Sequence, residues 1–268
     1  MSELYVESVG AGEPVVFLHA GVADCRMWDA QVSAFAPHYR VIRYDAQGFG
    51  RSPMAATPNT RADDLRSVLR QLAVDRAHVV GLSMGGATAI DFLLTYPSMV
   101  GALVVAASGV SGADRDDAWL AEQNRLENAA VARGDFDSAL TASLQTWVAG
   151  PRRRLEDMPE ALVEMLRPMA LDVLRHDAER KRAPGIDPPA AGRLAQIEAP
   201  FLVMVGDADV DAVLETADVL ANGVRGAQKI VLSDTAHMIN LERPAEFNAA
   251  VLEFLRRHLL AAASGGAV

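Results

Sequence analysis

The sequence is poor in several things, and each shortage excludes something. Among 268 residues there is one cysteine, Cys25. No internal disulfide can form, and a zinc site built on several thiolates is excluded. A lone cysteine reads as a small buried filler before it reads as a nucleophile. Basic residues are outnumbered, 25 Lys and Arg against 35 Asp and Glu, for a formal net charge of −10. A nucleic-acid-binding surface needs a basic footprint and is not expected here. An acidic surface favours solubility and selects no substrate. No apolar run approaches the roughly 20 residues of a membrane span, so no membrane partner is expected. The start of the chain, MSELYVESVGAGEP, carries acidic residues and no apolar core, unlike a secretory signal. A cytoplasmic protein is the expectation.

Short apolar runs are present, and they recur. Pro14–Ala20, Tyr39–Asp45, Ala77–Gly81, Ala102–Ala107, Phe201–Gly206 and Gln228–Leu232 are rich in Val, Ile and Leu. Near-continuous runs of this kind suit strands buried on both faces, as in a parallel sheet. Leu4–Val9 alternates more clearly and reads as an edge strand. Between the runs lie helical patterns. Arg61–Leu72 sets Leu65, Val68, Leu69 and Leu72 on one face. Met84–Tyr96 follows the third run, and Pro244–Leu260 closes the fold, with proline well placed in its first turn. Alternating strand and helix predict an α/β fold: a mostly parallel central sheet flanked by helices.

The alternation stops over 111–199. That stretch has helical patterns interrupted at Gly134, Gly150-Pro151, Pro159, Pro168 and Pro184–Pro189, and no strand-like run. It reads as a helical cap inserted over the strand ends of a core domain formed by 1–110 and 200–268. No repeat is evident, and the small-residue tail Ala261–Val268 is expected to be loose.

The sharpest chemical signal is Gly81-Leu82-Ser83-Met84-Gly85, between a predicted strand and a predicted helix. A Gly-x-Ser-x-Gly there forms a tight elbow that lifts the serine hydroxyl clear of the sheet, with a helix N-terminus behind it. A serine nucleophile needs a base. His237 lies just after the last predicted strand, on the edge where the elbow opens. The base needs a carboxylate, and Asp207, Asp209 and Asp211 follow the preceding strand. The order Ser, Asp, His is that of an α/β-hydrolase triad. The same aspartates do not make a calcium loop, because Ala212 stands at the required glycine and Asp218 at the required glutamate. Two backbone N–H groups must hold an oxyanion. Met84 follows the nucleophile, and the loop His19-Ala20-Gly21-Val22 is the natural second source.

Other side chains are read more plainly. His19 is expected to anchor its loop, and His38, His78 and His258 to be structural. His176 lies in the helical stretch, where a pocket-facing position competes with a structural one. Arg152–Arg154 reads as a solvated loop, with recognition of an anionic substrate tail as the alternative. Trp119, Trp147, Met158, Met165 and Met169 read as helix packing first, although a lid over an apolar pocket uses the same residues.

With LHAGVADCRMW, YDAQGFGRS, VVGLSMGG, VMVGDADVD and SDTAHMINLERPAEFNAAVLEFL in hand, the chain resembles lid-bearing, serine-nucleophile members of the α/β-hydrolase superfamily. The resemblance covers nearly everything outside the insertion. It implies that the acid is Asp209, with Asp207 as runner-up, and that the second oxyanion donor is Gly21. The sequence departs from the family pattern at Ala20, where glycine follows the histidine, and at Gln47, where arginine is common. A serine at the elbow separates it from dehalogenases and epoxide hydrolases, which use aspartate. The expectation is a carboxylic ester hydrolase without cofactor or metal, cleaving a small ester or lactone through an acyl-enzyme. Carbon–carbon bond hydrolases of ring-cleavage products, cofactor-free haloperoxidases and slow-turnover ligand receptors share the same residues. A homodimer is compatible with the sequence and not argued by it.

Overall fold

A computed structural model describes residues 4–55, 59–113, 116–176 and 183–260. The expected tail, 261–268, lies outside the described residues. A seven-stranded sheet forms the centre, in the order β1-β3-β2-β4-β5-β6-β7. Its strands are β1 (Val6–Val9), β2 (Pro14–Leu18), β3 (Arg40–Tyr44), β4 (Ala77–Leu82), β5 (Val100–Ala106), β6 (Phe201–Gly206) and β7 (Gln228–Leu232). Only β1 is antiparallel, pairing with β3 at the sheet edge with Val6 opposite Tyr44. The other pairings are parallel, as the continuous apolar runs predict.

Strand alternation divides the core. Val15 and Phe17 of β2 point to one face, and Val16 and Leu18 to the other. The first face is covered by α1 (Asp29–Phe35) and α9 (Pro244–Arg256), with Trp28, Phe35, Phe247 and Phe254 packed beneath them. The second is covered by α2 (Arg61–Gln71), α3 (Met84–Thr95) and α7 (Asp211–Gly223), which contribute Leu65, Leu69, Ile90, Phe92 and Leu220. Thr60 starts α2 by accepting the Asp63 N–H at 3.0 Å.

Between β5 and β6 the described residues contain no strand. They form α4 (Ala118–Ala132), α5 (Phe136–Leu144), a π-turn (Gln145–Ala149) and α6 (Glu160–His176). Asp117 caps α4 through the Leu120 N–H and Asp135 caps α5 through the Ser138 N–H. Asp117 also accepts the Ala212 N–H at 3.2 Å, tying α4 to the first turn of α7. Leu140, Leu144, Leu162, Leu166 and Met169 join the apolar cluster on the first sheet face. One expected break is absent: Pro168 lies inside α6. It is on the exposed side, where water can satisfy the carbonyl that loses its N–H partner. A last one-turn helix, α8 (Ile239–Glu242), precedes α9. No described helix is long and apolar enough to cross a membrane.

Candidate active site

Ser83 sits between β4 and α3 with φ 56° and ψ −116°. A non-glycine residue in that region is strained and is held only by its surroundings. Here the Ser83 N–H donates to Ala106 O at 2.9 Å, and Ser83 O accepts the Ala87 N–H at 3.0 Å. The flanking glycines have a steric cause. A Cβ on Gly81 would stand 2.3 Å from Gly85 O, and one on Gly85 would stand 2.2 Å from Leu18 O. The elbow therefore presses the start of α3 against β2, leaving Ser83 half-buried at a helix N-terminus.

Asp209 and His237 follow β6 and β7, so they stand at the same sheet edge as Ser83. His237 Nδ1 donates to Asp209 Oδ2 at 2.9 Å. Both side chains are fully buried. The other carboxylate oxygen of Asp209 accepts the Val210 N–H at 2.8 Å. His237 Nε2, the remaining ring nitrogen, is buried with no hydrogen-bond partner in the structure. A buried pair of this kind, fixed at Nδ1 and free at Nε2, can accept a proton and stabilise the imidazolium that results. The neighbouring aspartates are engaged elsewhere. Asp207 accepts the Asp234 N–H at 2.7 Å, and Asp211 pairs with Arg152.

The loop after β2 approaches the elbow. A Cβ on Gly21 would lie 3.6 Å from Met84 Cβ, in ordinary contact, so the backbones of Gly21 and Met84 are close. His19 is buried, and burial holds its pKa below the usual imidazole value. Its Nε2 accepts the Ala46 N–H at 3.0 Å while Nδ1 donates to Ala20 O at 2.8 Å. With both nitrogens occupied, it braces this loop against the one after β3. Within the latter, Asp45 accepts the Cys25 and Arg51 N–H groups, each at 2.8 Å. Gln47 donates to Asp64 at 2.9 Å.

Asp24, Cys25 and Asp45 form a cluster of ligand-type atoms. Their groups are already engaged: Asp24 chelates Arg26, and both Asp45 oxygens accept N–H groups. Burial, with Asp45 beside it, pushes the Cys25 thiol up and away from the thiolate. The cluster holds two loops together. His176 is exposed and bonds within its own helix, to Asp172 O at 2.9 Å, so it does not face a pocket. His78 is buried and meets the Tyr39 ring edge to face, and His258 packs at a tilt against Phe254.

Two features were anticipated only in part from sequence. Trp147, on the π-turn, packs on the His237 ring with centroids 4.6 Å apart and planes tilted by 50°. A local π-helix changes which side chains share a face, a device frequent at functional sites, and no spacing rule reveals it. The expected solvated loop holds for Arg152 and Arg154, whose side chains are 44% and 73% exposed, and not for Arg153, at 18%. Arg152 donates to Asp209 O and pairs with Asp211, and Arg153 pairs with Glu242 at 2.6 Å. The only signal was their position after Gly150-Pro151.

Comparison with known proteins agrees with the architecture. The profile of the alpha/beta hydrolase family matches residues 15–250. A 2-hydroxy-6-oxo-6-phenylhexa-2,4-dienoate hydrolase from Comamonas testosteroni is 27% identical over 262 residues, covering 95% of this chain and 91% of that one. A 2-hydroxy-6-oxononadienedioate/2-hydroxy-6-oxononatrienedioate hydrolase from Burkholderia vietnamiensis is 31% identical over 264 residues, with the same coverage. The solved structure of an N-acyl homoserine lactone degrading enzyme superposes with a TM-score of 0.75 at 28% identity, covering 95% of this chain and 97% of that one. An enol-lactonase from Burkholderia xenovorans shares the fold, with a TM-score of 0.77 at 24% identity and the same coverage. The chain belongs to the alpha/beta hydrolase family, and its described core has that family's mostly parallel sheet flanked by helices.

Proposed function

We propose that the chain hydrolyses a small ester or lactone through an acyl-enzyme on Ser83. The observation that carries this reading is the buried Asp209–His237 pair with an unpartnered Nε2, at the sheet edge where Ser83 emerges. His237 takes the Ser83 proton as the hydroxyl attacks the substrate carbonyl, and Asp209 holds the imidazolium. The N–H groups of Gly21 and Met84 hold the oxyanion. His237 then protonates the leaving alcohol, and water, deprotonated by the same base, releases the acid. Residues 1–110 and 200–268 act as the core in this scheme. Residues 111–199 act as the cap, bringing Trp147 over the base. No cofactor or metal is needed for these steps, and a small-molecule substrate is the partner they imply.

Of the cap arginines, Arg125, Arg152, Arg153, Arg154 and Arg167 are each paired with a carboxylate. A second reading, carbon–carbon bond hydrolysis of a 2-hydroxy-6-oxo dienoate, is favoured by the names of the curated relatives. It uses the same serine, base and oxyanion donors on a ketone carbonyl.

The test is turnover of p-nitrophenyl esters from acetyl to octanoyl, of simple lactones and of a 2-hydroxy-6-oxo dienoate, by wild type and Ser83→Ala. Ester or lactone turnover abolished in Ser83→Ala supports the first reading. Turnover of the dienoate alone replaces it with the second. A folded wild type that turns over none of them contradicts both.

A further inference from the structure

Arg153 makes four hydrogen bonds, and they converge on the two sides of the Trp147–His237 contact. Its Nε donates to Ala149 O at 2.9 Å and its Nη2 to Val148 O at 3.0 Å. These are the carbonyls at the end of the π-turn that carries Trp147, groups with no partner further along the helix. Its Nη1 donates to Asp234 O at 3.2 Å and to Glu242 Oε2 at 2.6 Å. Glu242 passes the contact on, since its Oε1 accepts the Ala236 N–H at 2.9 Å, one residue before His237. The pair is shielded, with 18% of the Arg153 side chain and 6% of the Glu242 side chain exposed.

The surrounding turn is built to make this approach. Gly150 has φ 78°, and a Cβ there would stand 2.6 Å from Ala208 O and 3.0 Å from Ala236 Cβ. Only glycine lets the chain pass this close to both the acid loop and the base loop. The Gln145 side chain holds Gly150 O and Arg153 O, each at 2.9 Å, and accepts the Leu155 N–H at 3.0 Å. Arg152 binds Asp209 O beside it.

We propose that Arg153 is a positioning residue for His237, acting through Glu242 and through the π-turn that presents Trp147. The inference rests on the reading of His237 as the base. Its consequence is that this corner of the helical segment does not swing freely as a lid. It is part of the support of the base, and any opening happens elsewhere along the segment.

The test compares wild type, Arg153→Met, Arg153→Lys and the double variant Arg153→Met/Glu242→Gln. Three quantities are read: kcat and KM on an ester, thermal midpoint, and the low-field NMR signal of the His237–Asp209 hydrogen-bonded proton, assigned by its loss in His237→Ala. The proposal expects kcat to fall about ten-fold or more in Arg153→Met with a smaller change in KM, since sub-ångström errors in a base are costly. The low-field signal broadens or disappears, and lysine, which reaches fewer of the four acceptors, restores part of both. In the double variant the unpaired buried carboxylate is gone, so the thermal midpoint recovers while kcat stays low. A double variant that regains both stability and kcat overturns the proposal, because the pair is then only structural. So does an Arg153→Met enzyme within about two-fold of wild-type kcat that keeps the signal. If the wild type shows no Ser83-dependent turnover, the reading of the base fails by itself, and the proton signal still decides whether Arg153 holds the histidine.

Discussion

All six residues of β4 are buried, whereas only Ala130 of the fifteen in α4 is. The sheet and the helical segment between β5 and β6 are ordered by different forces. Strands packed on both faces are specified by continuous apolar runs, and their register follows from the area they bury. The helical segment has less to bury. It relies on caps at Asp117 and Asp135, on the hydrogen bonds of Gln145, and on arginines that reach across to the core. The sheet therefore sets stability and the placement of Ser83, and the segment sets what surrounds His237.

The comparison breaks most sharply if the large effects fall in the wrong region. Ser83→Ala and His237→Ala are each expected to lower kcat by about three to six orders of magnitude without changing the fold. Steady-state kinetics alongside circular dichroism checks both. Phe254→Ala, on the buried face of α9, is expected to cost about 3–5 kcal/mol of stability. Chemical denaturation measures it, and the catalytic rate of the folded fraction should change little.

Trp147→Ala should show the reverse pattern. Half-buried on the segment, it is expected to cost less stability than Phe254→Ala while lowering kcat by about one to two orders, since His237, the proposed base, loses its packing partner. If denaturation and kinetics instead place Trp147 with the core, the division between regions is wrong. At the small end, Arg167→Ala removes a half-exposed pair with Glu164 and should shift stability by about 0.5 kcal/mol or less, with activity intact.

The same division governs what was legible in the sequence. The inner strands were readable because burial on both faces leaves a compositional trace, the edge strand β1 because its sequence alternates, and the elbow because its turn requires glycine on both sides of the serine. The helical character of 111–199 was readable from its breaks, yet Pro168 is no break, because its missing hydrogen bond faces water. Trp147 and Arg153 were not legible for a different reason. Their roles arise where a π-turn meets a loop distant in sequence, and neither local propensity nor periodicity encodes that meeting. The aspartate that pairs with His237 was legible only in part. Three aspartates share the loop after β6, and the hydrogen bonds that separate them are tertiary.

The most direct test of the central claim is intact-protein and peptide mass spectrometry after exposure to a fluorophosphonate, which phosphonylates an activated serine. The account predicts one adduct per chain, on the peptide carrying Ser83, absent from Ser83→Ala and formed far more slowly in His237→Ala. An enzyme that turns over its substrate yet carries no adduct at Ser83, or is modified equally fast without His237, would contradict it.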